Sequence, residues 1–243
     1  MDRDSFDKLF IKFIEDIKLE YDKVFSTKIK GIYAGSKIRG TNPSLSNFCE
    51  DRFADFLSSL FPNKNFLYLI DVSLTTKLDN ESKTMRPDIM IVDKSSNSIL
   101  AIFEVKIDDA RAKENWVEIA QHGIERLKQI SINHDNNPPE NFIRFRTFKL
   151  NENGEPSRNN NNRFKFEQHT LTCHPNAMVA CFALCKQNSR EREGGRMRTE
   201  GTNASYISKK HFNNQLYSLE DFLDTGNLFS DEVFQIINNI QIW

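Results

Sequence analysis

Two acidic residues and a lysine occur at a spacing that suits metal-assisted hydrolysis. Asp88 follows Pro87, and sixteen residues later Glu104 and Lys106 are separated by one apolar residue, Val105. Two carboxylates that lie close together repel each other unless a cation stands between them, and a hard divalent ion such as Mg²⁺ takes oxygen ligands. These residue types suit phosphodiester hydrolysis, in which Mg²⁺, or Mn²⁺ in its place, neutralises charge and Lys106 orients or deprotonates the attacking water.

The segments that carry these residues are predicted to form a β-hairpin. Residues 87–93 and 98–107 are strand-like apolar runs, and the loop KSSNS, centred on Ser96, would join them as antiparallel neighbours. In that register Asp88 lies opposite Glu104, with Cβ atoms about 4.5–5.5 Å apart, and Lys106 shares the face of Glu104. The alternative is structural: Asp88 is a turn residue after proline, and Glu104 and Lys106 form a surface ion pair worth under ~1 kcal/mol.

The remaining periodicity predicts an α/β fold around this hairpin. Apolar residues recur at helical spacing, or alternate as in strands, in most of the chain. The sequence therefore predicts an α/β domain with a mixed sheet. The predicted helices cover 5–25, 46–61, about 110–131, 218–225 and 230–240; the other predicted strands cover 66–76, 141–150 and 177–185; and 151–163 is predicted to be a polar loop.

The order Pro87-Asp88, then Glu104-Val105-Lys106, resembles the PD-(D/E)xK nuclease superfamily, over roughly residues 46–131. The resemblance implies a restriction-endonuclease-like core, a mixed central sheet flanked by helices on both faces, and Val105 as a further metal ligand through its carbonyl. It also implies cleavage of DNA, in restriction or another defence against foreign DNA. A single nuclease-like domain would then have its core at about 46–185, a helical addition at 1–45 and a C-terminal addition at 186–243.

Four further residues are candidates for the same site. Members of the superfamily often carry a glutamate on the helix before the sheet, and Glu50 would be that catalytic residue and metal ligand, at the edge of the apolar stripe. The alternative is a solvated helix acid or a partner of the helix dipole near the N-terminus. Gln121 matches a glutamine that some related nucleases use, but it falls off the apolar stripe of its helix, which favours a surface position. Arg86 and Lys83 stand near Asp88 and are candidates for contacts with the phosphate backbone.

Composition limits the classes of protein to consider. The chain has 243 residues, 38% hydrophobic residues and a net charge of −1, which exclude wholesale disorder and a uniformly basic nucleic-acid coat. No apolar run approaches the ~20 residues that span a bilayer, so no membrane partner is expected. The start of the chain lacks the apolar segment of a signal peptide, which predicts a cytoplasmic protein. The four cysteines show no CxxC spacing, so a disulfide framework is not expected.

Three functions remain open on these residues. The first is a Mg²⁺-dependent deoxyribonuclease, which we expect to form dimers, because two copies of one site readily cut both strands of a duplex. The second is a non-catalytic nucleic-acid-binding or assembly module on the same fold, which the local clusters of basic residues permit. The third is an RNA-cleaving nuclease with the same site.

Overall fold

The computed structural model describes residues 2–29, 46–108, 116–134 and 141–185, together with 192–193, 196–197, 216–218, 234 and 237–238. These residues include three long helices, and residues 234 and 237–238 are also helical, within the predicted helix 230–240. None of the described helices combines the length and the apolar character needed to cross a membrane. The helices are α1 (Arg3–Ile29), α2 (Ser46–Leu60) and α3 (Trp116–His134).

The described strands form a mixed sheet. Seven strands lie side by side in the order β1-β4-β5-β7-β6-β2-β3, and β10 pairs in parallel with β7. The β1–β4, β2–β3, β2–β6 and β6–β7 pairs are antiparallel, and β8 and β9 pair separately. The α/β class and the mixed sheet are therefore confirmed. The strands are β1 (Phe66–Ile70), β2 (Leu74–Leu78), β3 (Glu81–Met85), β4 (Ile89–Asp93), β5 (Ser98–Asp108), β6 (Phe142–Phe148), β7 (Phe166–Cys185), β8 (Arg192–Glu193), β9 (Arg196–Met197) and β10 (Leu216–Ser218).

Several element boundaries differ from the prediction. The strand predicted at 66–76 is two strands, because Asp71 takes a left-handed backbone conformation (φ 53°) that interrupts β1 before β2 begins. Strand β3 was not predicted, since its residues are polar and mostly exposed. The predicted strand 177–185 is only the end of β7. The predicted helix 110–131 is described from Trp116 and ends at His134. Residue 218 of the predicted helix 218–225 closes β10, and 219–225 lie outside the described residues.

The chain packs as two compact units. The first comprises Met1–Lys64, Phe103–Val117 and Ala180–Trp243, and the second comprises Asn65–Ile102 and Glu118–Val179. The predicted division into a core at 46–185 with additions at 1–45 and 186–243 stays a prediction, because much of both additions lies outside the described residues.

A cluster of phenylalanine rings forms the core of the first unit. The rings stand at helical spacing on α1 and α2, and those of Phe13 and Phe56 stack with centroids 5.4 Å apart. Phe53 meets Phe103 of β5 edge to face at 5.6 Å, and such aromatic pairs add to the free energy gained by burying area. The α1–α2 contact therefore depends on the spacing of a single residue type. Its buried members are Phe6, Phe10, Phe13, Phe53, Phe56 and Phe103.

In the second unit, helix α3 packs on one face of the strands β2, β3, β6 and β7. Ser131 Oγ of α3 accepts a 2.6 Å hydrogen bond from the Cys173 N–H of β7, and Arg126 reaches Glu81 of β3 at 2.8 Å. Along β6 and the part of β7 that pairs with it, the residues on this face are buried or half-buried, except Glu167, while the residues between them point to the other face. Over the same stretch the residues of that other face are exposed or half-buried, and the predicted cover of helices on both faces of the sheet stays a prediction.

Candidate active site

The β4–β5 hairpin is built from residues that are apolar on both faces. In β4 every residue from Ile89 to Val92 is buried, and in β5 residues 98–103 are buried. The two strands are neighbours in the sheet and are joined by residues 94–97 alone, a connection so short that they must run antiparallel. The loop has four residues rather than the five of KSSNS, because Ser98 belongs to β5, and its midpoint lies between Ser95 and Ser96.

The side chain of Asp93 organises this loop. Its Oδ1 accepts hydrogen bonds from the Ser95 hydroxyl at 2.5 Å and the Ser95 N–H at 3.1 Å, and its Oδ2 accepts one from the Ser96 hydroxyl at 2.6 Å. The hydrogen bonds from Ser95, followed by those from Ser96, lower the pKa of Asp93 to about 2. Asn97 closes the turn with a positive φ of 53°, which asparagine tolerates better than most residues.

Asp88 lies in a bend directly before β4 and is half-buried. Its main-chain carbonyl accepts a 2.8 Å hydrogen bond from the Asp71 N–H, which continues the β1–β4 ladder by one step. Pro87, before it, is buried. Because Asp88 precedes the first residue of β4, strand alternation alone does not fix the direction of its side chain.

Glu104 is half-buried within β5, between two neighbours that are fully buried. Phe103 is 0% exposed and Val105 is 1% exposed, so the carboxylate interrupts an apolar stretch, where a charged group is costly unless it has partners. The main chain of Lys106 continues β5, and its side chain lies outside the described residues. In a regular ladder centred between Ser95 and Ser96, the residue opposite Asp88 would be Phe103, one residue before Glu104. The predicted pairing of Asp88 with Glu104 therefore stays a prediction, as does the shared face of Glu104 and Lys106.

Glu50 is buried on α2, at 6% exposure. The Ser46 hydroxyl, one helical turn earlier, donates a 2.9 Å hydrogen bond to its Oε1. The interpretation of Glu50 as a solvated helix acid is therefore wrong, whereas its neighbour Asp51 is exposed. The role of Glu50 as a metal ligand stays a prediction.

The predicted phosphate-binding residues are exposed and already paired with acids. Arg86 Nη2 lies 2.5 Å from Asp71 Oδ2, and its Nε donates to the Asp71 carbonyl at 3.1 Å. Lys83 Nζ lies 2.9 Å from a carboxylate oxygen of Glu81, and this hydrogen bond is the largest cause that lowers the pKa of Glu81. Gln121 is half-buried on α3.

The described part of the chain contains no group of three or more His, Cys, Asp or Glu side chains that could hold a metal ion. Comparisons of the chain with protein-family models, with curated proteins and with solved structures found no match.

Sequence reasoning missed a second group of candidate residues, the exposed rings Phe148, Phe164 and Phe166. They are 45%, 40% and 56% exposed, which is unusual for such large apolar side chains. The available signal was the repeat of phenylalanine at every second position in FKF, residues 164–166, directly after the predicted polar loop 151–163.

Proposed function

We propose that this protein is a metal-dependent nuclease that hydrolyses phosphodiester bonds of DNA, with Asp88 and Glu104 at its active site. What supports the proposal is the presence of two half-buried acids far from the loop of an otherwise buried hairpin. Asp88 stands six residues before Lys94, and Glu104 stands seven residues after Asn97. At a rise of about 3.3 Å per residue, both positions lie near the same end of the hairpin.

The donor set suits Mg²⁺, with Mn²⁺ as a substitute. Mg²⁺ usually keeps several waters and is held by one or two carboxylates, so Asp88, Glu104 and the carbonyl of Val105 form a sufficient set. Glu50 is the proposed additional acid. Its burial with a serine hydroxyl as partner is typical of a carboxylate that is kept for a task rather than for solubility.

The remaining residues would handle water and substrate. When bound, the metal neutralises charge on the phosphoryl oxygens. Lys106 would orient or deprotonate the attacking water, since a lysine in a desolvated setting loses its proton more readily. Arg86 and Lys83 would contact the DNA backbone, for which they exchange their present acidic partners for phosphate. Gln121 is the weakest of these assignments, because nothing described links it to the hairpin.

We also propose a biological setting for this activity. A cytoplasmic nuclease that acts in restriction or another defence against foreign DNA would need access to duplexes, and a dimer would supply one site for each strand.

Cleavage by matched variants tests the assignment. The purified full chain is incubated with Mg²⁺, Mn²⁺ or EDTA and with labelled duplex DNA, single-stranded DNA and RNA of one sequence. We expect Asp88→Asn and Glu104→Gln to slow metal-dependent cleavage at least about 100-fold, since each removes a charge that holds the metal. Asp51→Asn, an exposed acid on α2, is the matched control and should cleave like the wild type.

Two outcomes would contradict the proposal. Cleavage that survives in folded Asp88→Asn and Glu104→Gln would show that the active site lies elsewhere. No cleavage of any substrate by the folded wild type, with either metal, would favour the non-catalytic binding module. Cleavage of RNA alone would keep the site and change the substrate.

A further inference from the structure

The β6–β7 pair presents three directly opposed residue pairs on its uncovered face. The pairs are Arg144 with Thr170, Arg146 with Gln168 and Phe148 with Phe166, and opposed residues of an antiparallel pair share a face. All six are exposed except Arg144, which is half-buried. We call this surface the open face; its residues are Arg144, Arg146, Phe148, Phe166, Gln168 and Thr170.

Three phenylalanine rings cluster at one end of the open face. The ring of Phe148 lies 5.1 Å from that of Phe166 in a stacked arrangement and 4.9 Å from that of Phe164. The guanidinium of Arg158 covers the Phe164 ring at 3.9 Å. The cluster therefore offers flat apolar surfaces to solvent beside a fixed positive charge.

The segment that carries Phe164 and Arg158 is itself held in place by hydrogen bonds. Residues 149–165 form two successive turns, and in each of them one asparagine side chain accepts hydrogen bonds from main-chain N–H groups. Asn151 Oδ1 accepts from the N–H groups of residues 153 and 155, at 3.0 and 2.9 Å, and Asn159 Oδ1 accepts from those of residues 161 and 163, both at 3.0 Å. The segment contains four cations and two acids, so it is basic.

Arg144 of the open face has neutral partners. Arg144 lies over the Phe142 ring at 3.9 Å, and with the Gln168 amide turned to accept, its oxygen lies 3.0 Å from Arg144 Nε. Among the described residues, the six positions of the open face include no carboxylate, and Glu167 belongs to the opposite face. The positive charge of Arg144 and Arg146 is therefore not neutralised by an acid of this surface.

From this arrangement we infer that the open face binds single-stranded nucleic acid. Exposed aromatic rings provide stacking surfaces for unpaired bases, and flanking cations follow the phosphate backbone. The amide of Gln168 and the hydroxyl of Thr170 can exchange hydrogen bonds with base edges. A duplex keeps its bases stacked inside, so rings on a flat sheet are of use mainly to single strands. The inference concerns binding and does not depend on the proposed hydrolysis.

Binding in EDTA tests this inference without any metal chemistry. Fluorescence anisotropy is measured for the full chain with labelled oligo(dT), oligo(rU) and a duplex of equal length. We expect the two single strands to bind more tightly than the duplex, and the ratio between them gives the preference for DNA or RNA. Phe148→Ala and Phe166→Ala should weaken binding roughly 5- to 150-fold, the range found for the loss of one stacked base.

Three matched variants separate stacking from general damage. Phe166→Trp keeps an aromatic face and should retain binding, whereas Phe166→Leu keeps only apolar area and should lose it. Ile132→Ala removes another exposed apolar side chain, 63% exposed on α3, and should bind like the wild type. Arg146→Gln should weaken binding to all single strands and reduce the slope of log K against log salt by about 0.7.

Several results would overturn the inference. Equal affinity of the wild type and the folded Phe148→Ala and Phe166→Ala variants would show that the rings take no part in binding. Tighter binding of the duplex than of both single strands, or binding only to anionic lipid vesicles, would assign the surface to a different ligand. Binding is measured in EDTA, so a failure of the nuclease proposal would leave this result unaffected, and Asp51→Asn, an exposed acid on α2, should bind as the wild type does.

Discussion

The strand pairs β4–β5 and β6–β7 belong to one sheet, yet they depart from the usual placement of residue types in opposite ways. The first has an acid among buried apolar residues, and the second has aromatic rings on an exposed face. In β4–β5 both faces are apolar and buried, and the exceptional residue is a half-buried acid, Glu104. In β6–β7 one face is open, and the exceptional residues are the exposed rings of Phe148 and Phe166. A strand's burial pattern thus separates the residues that supply buried apolar area from the few whose type departs from their surroundings.

The cost has a different origin in the two hairpins. A carboxylate loses hydration when it is buried, and only a cation or hydrogen-bond donors recover that free energy. An exposed phenyl ring leaves unused the roughly 25 cal/mol per Å² that burial would contribute, and only a ligand recovers it. A metal would be the complement that the proposed function assigns to the first hairpin, and stacked bases would be the one that the inferred binding surface assigns to the second.

The largest effect should come from comparing one ring of each hairpin. Phe103→Ala removes a fully buried ring that contacts Phe53, and it should lower the free energy of unfolding by about 3–5 kcal/mol. Phe166→Ala removes an exposed ring and should cost under about 1 kcal/mol, the value of a cross-strand pair. Urea unfolding measures both. A large loss at Phe166 would mean that this ring is structural, and the contrast between the hairpins would fail.

The second effect is stabilisation by metal. At 100 times its Kd, Mg²⁺ should raise the free energy of unfolding of the wild type by about 2.7 kcal/mol, because it binds the folded chain. Asp88→Asn should show little of this gain, whereas Phe166→Ala should show all of it. Urea unfolding with and without Mg²⁺ gives the difference. An equal gain in the wild type and in Asp88→Asn would show that the metal does not bind at the β4–β5 hairpin.

A smaller effect should appear in the loop of the buried hairpin. Asp93→Ala removes the hydrogen bonds from Ser95 and Ser96 and should cost under about 1 kcal/mol at pH 7, because the loop is open to solvent. The folded-state pKa of Asp93, about 2, lies below its ordinary value of 3.8. Its contribution is therefore complete above about pH 4 and is lost as the pH falls towards 2. The two proteins should converge in acid, and a constant difference from pH 7 to pH 2 would contradict this account.

The smallest effect distinguishes two exposed arginines. Arg86 is paired with Asp71, so Arg86→Ala should cost a few tenths of a kcal/mol, the usual value of an exposed ion pair. Arg146 has no acid among the described open-face residues, so Arg146→Ala should leave stability unchanged and alter only binding. Thermal unfolding of both variants, read beside anisotropy, separates the roles. A larger loss of stability at Arg146 than at Arg86 would reverse the assignment.

The buried hairpin could be predicted well from the sequence, because two continuous apolar runs joined by a short polar loop are typical of a buried β-hairpin and of few other structures. Predicted strands at 87–93 and 98–107 became Ile89–Asp93 and Ser98–Asp108. The edge of the sheet was harder. The residue type of Asp71 is not enough to predict its positive φ. The polar residues of β3 are held in the sheet by pairing with β2 and not by burial.

The β6–β7 pair was predicted only in part, because its exposed face is formed by pairing between residues that are far apart in the sequence. The alternation of 141–150 indicated a half-exposed strand, which β6 confirms. The length of β7 was missed, because only its end, 177–185, was predicted to be a strand. Its pairing with β6 ends at Leu171, so at Pro175 the missing N–H costs β6 no hydrogen bond. The rings of 164–166 became candidates only when the pairing brought Phe148 beside Phe166.

The two asparagine-closed turns beyond β6 have a practical consequence. In each turn the side chain of one asparagine accepts the hydrogen bonds that close the loop. In the second turn this residue is Asn159, so the exposed side chain of residue 160 is not one of the groups that close it. Chain tips of this kind accept added material readily. A fluorophore or a surface tether attached at Asn160 would leave the fold intact and would let single molecules of this protein be followed while they engage a strand.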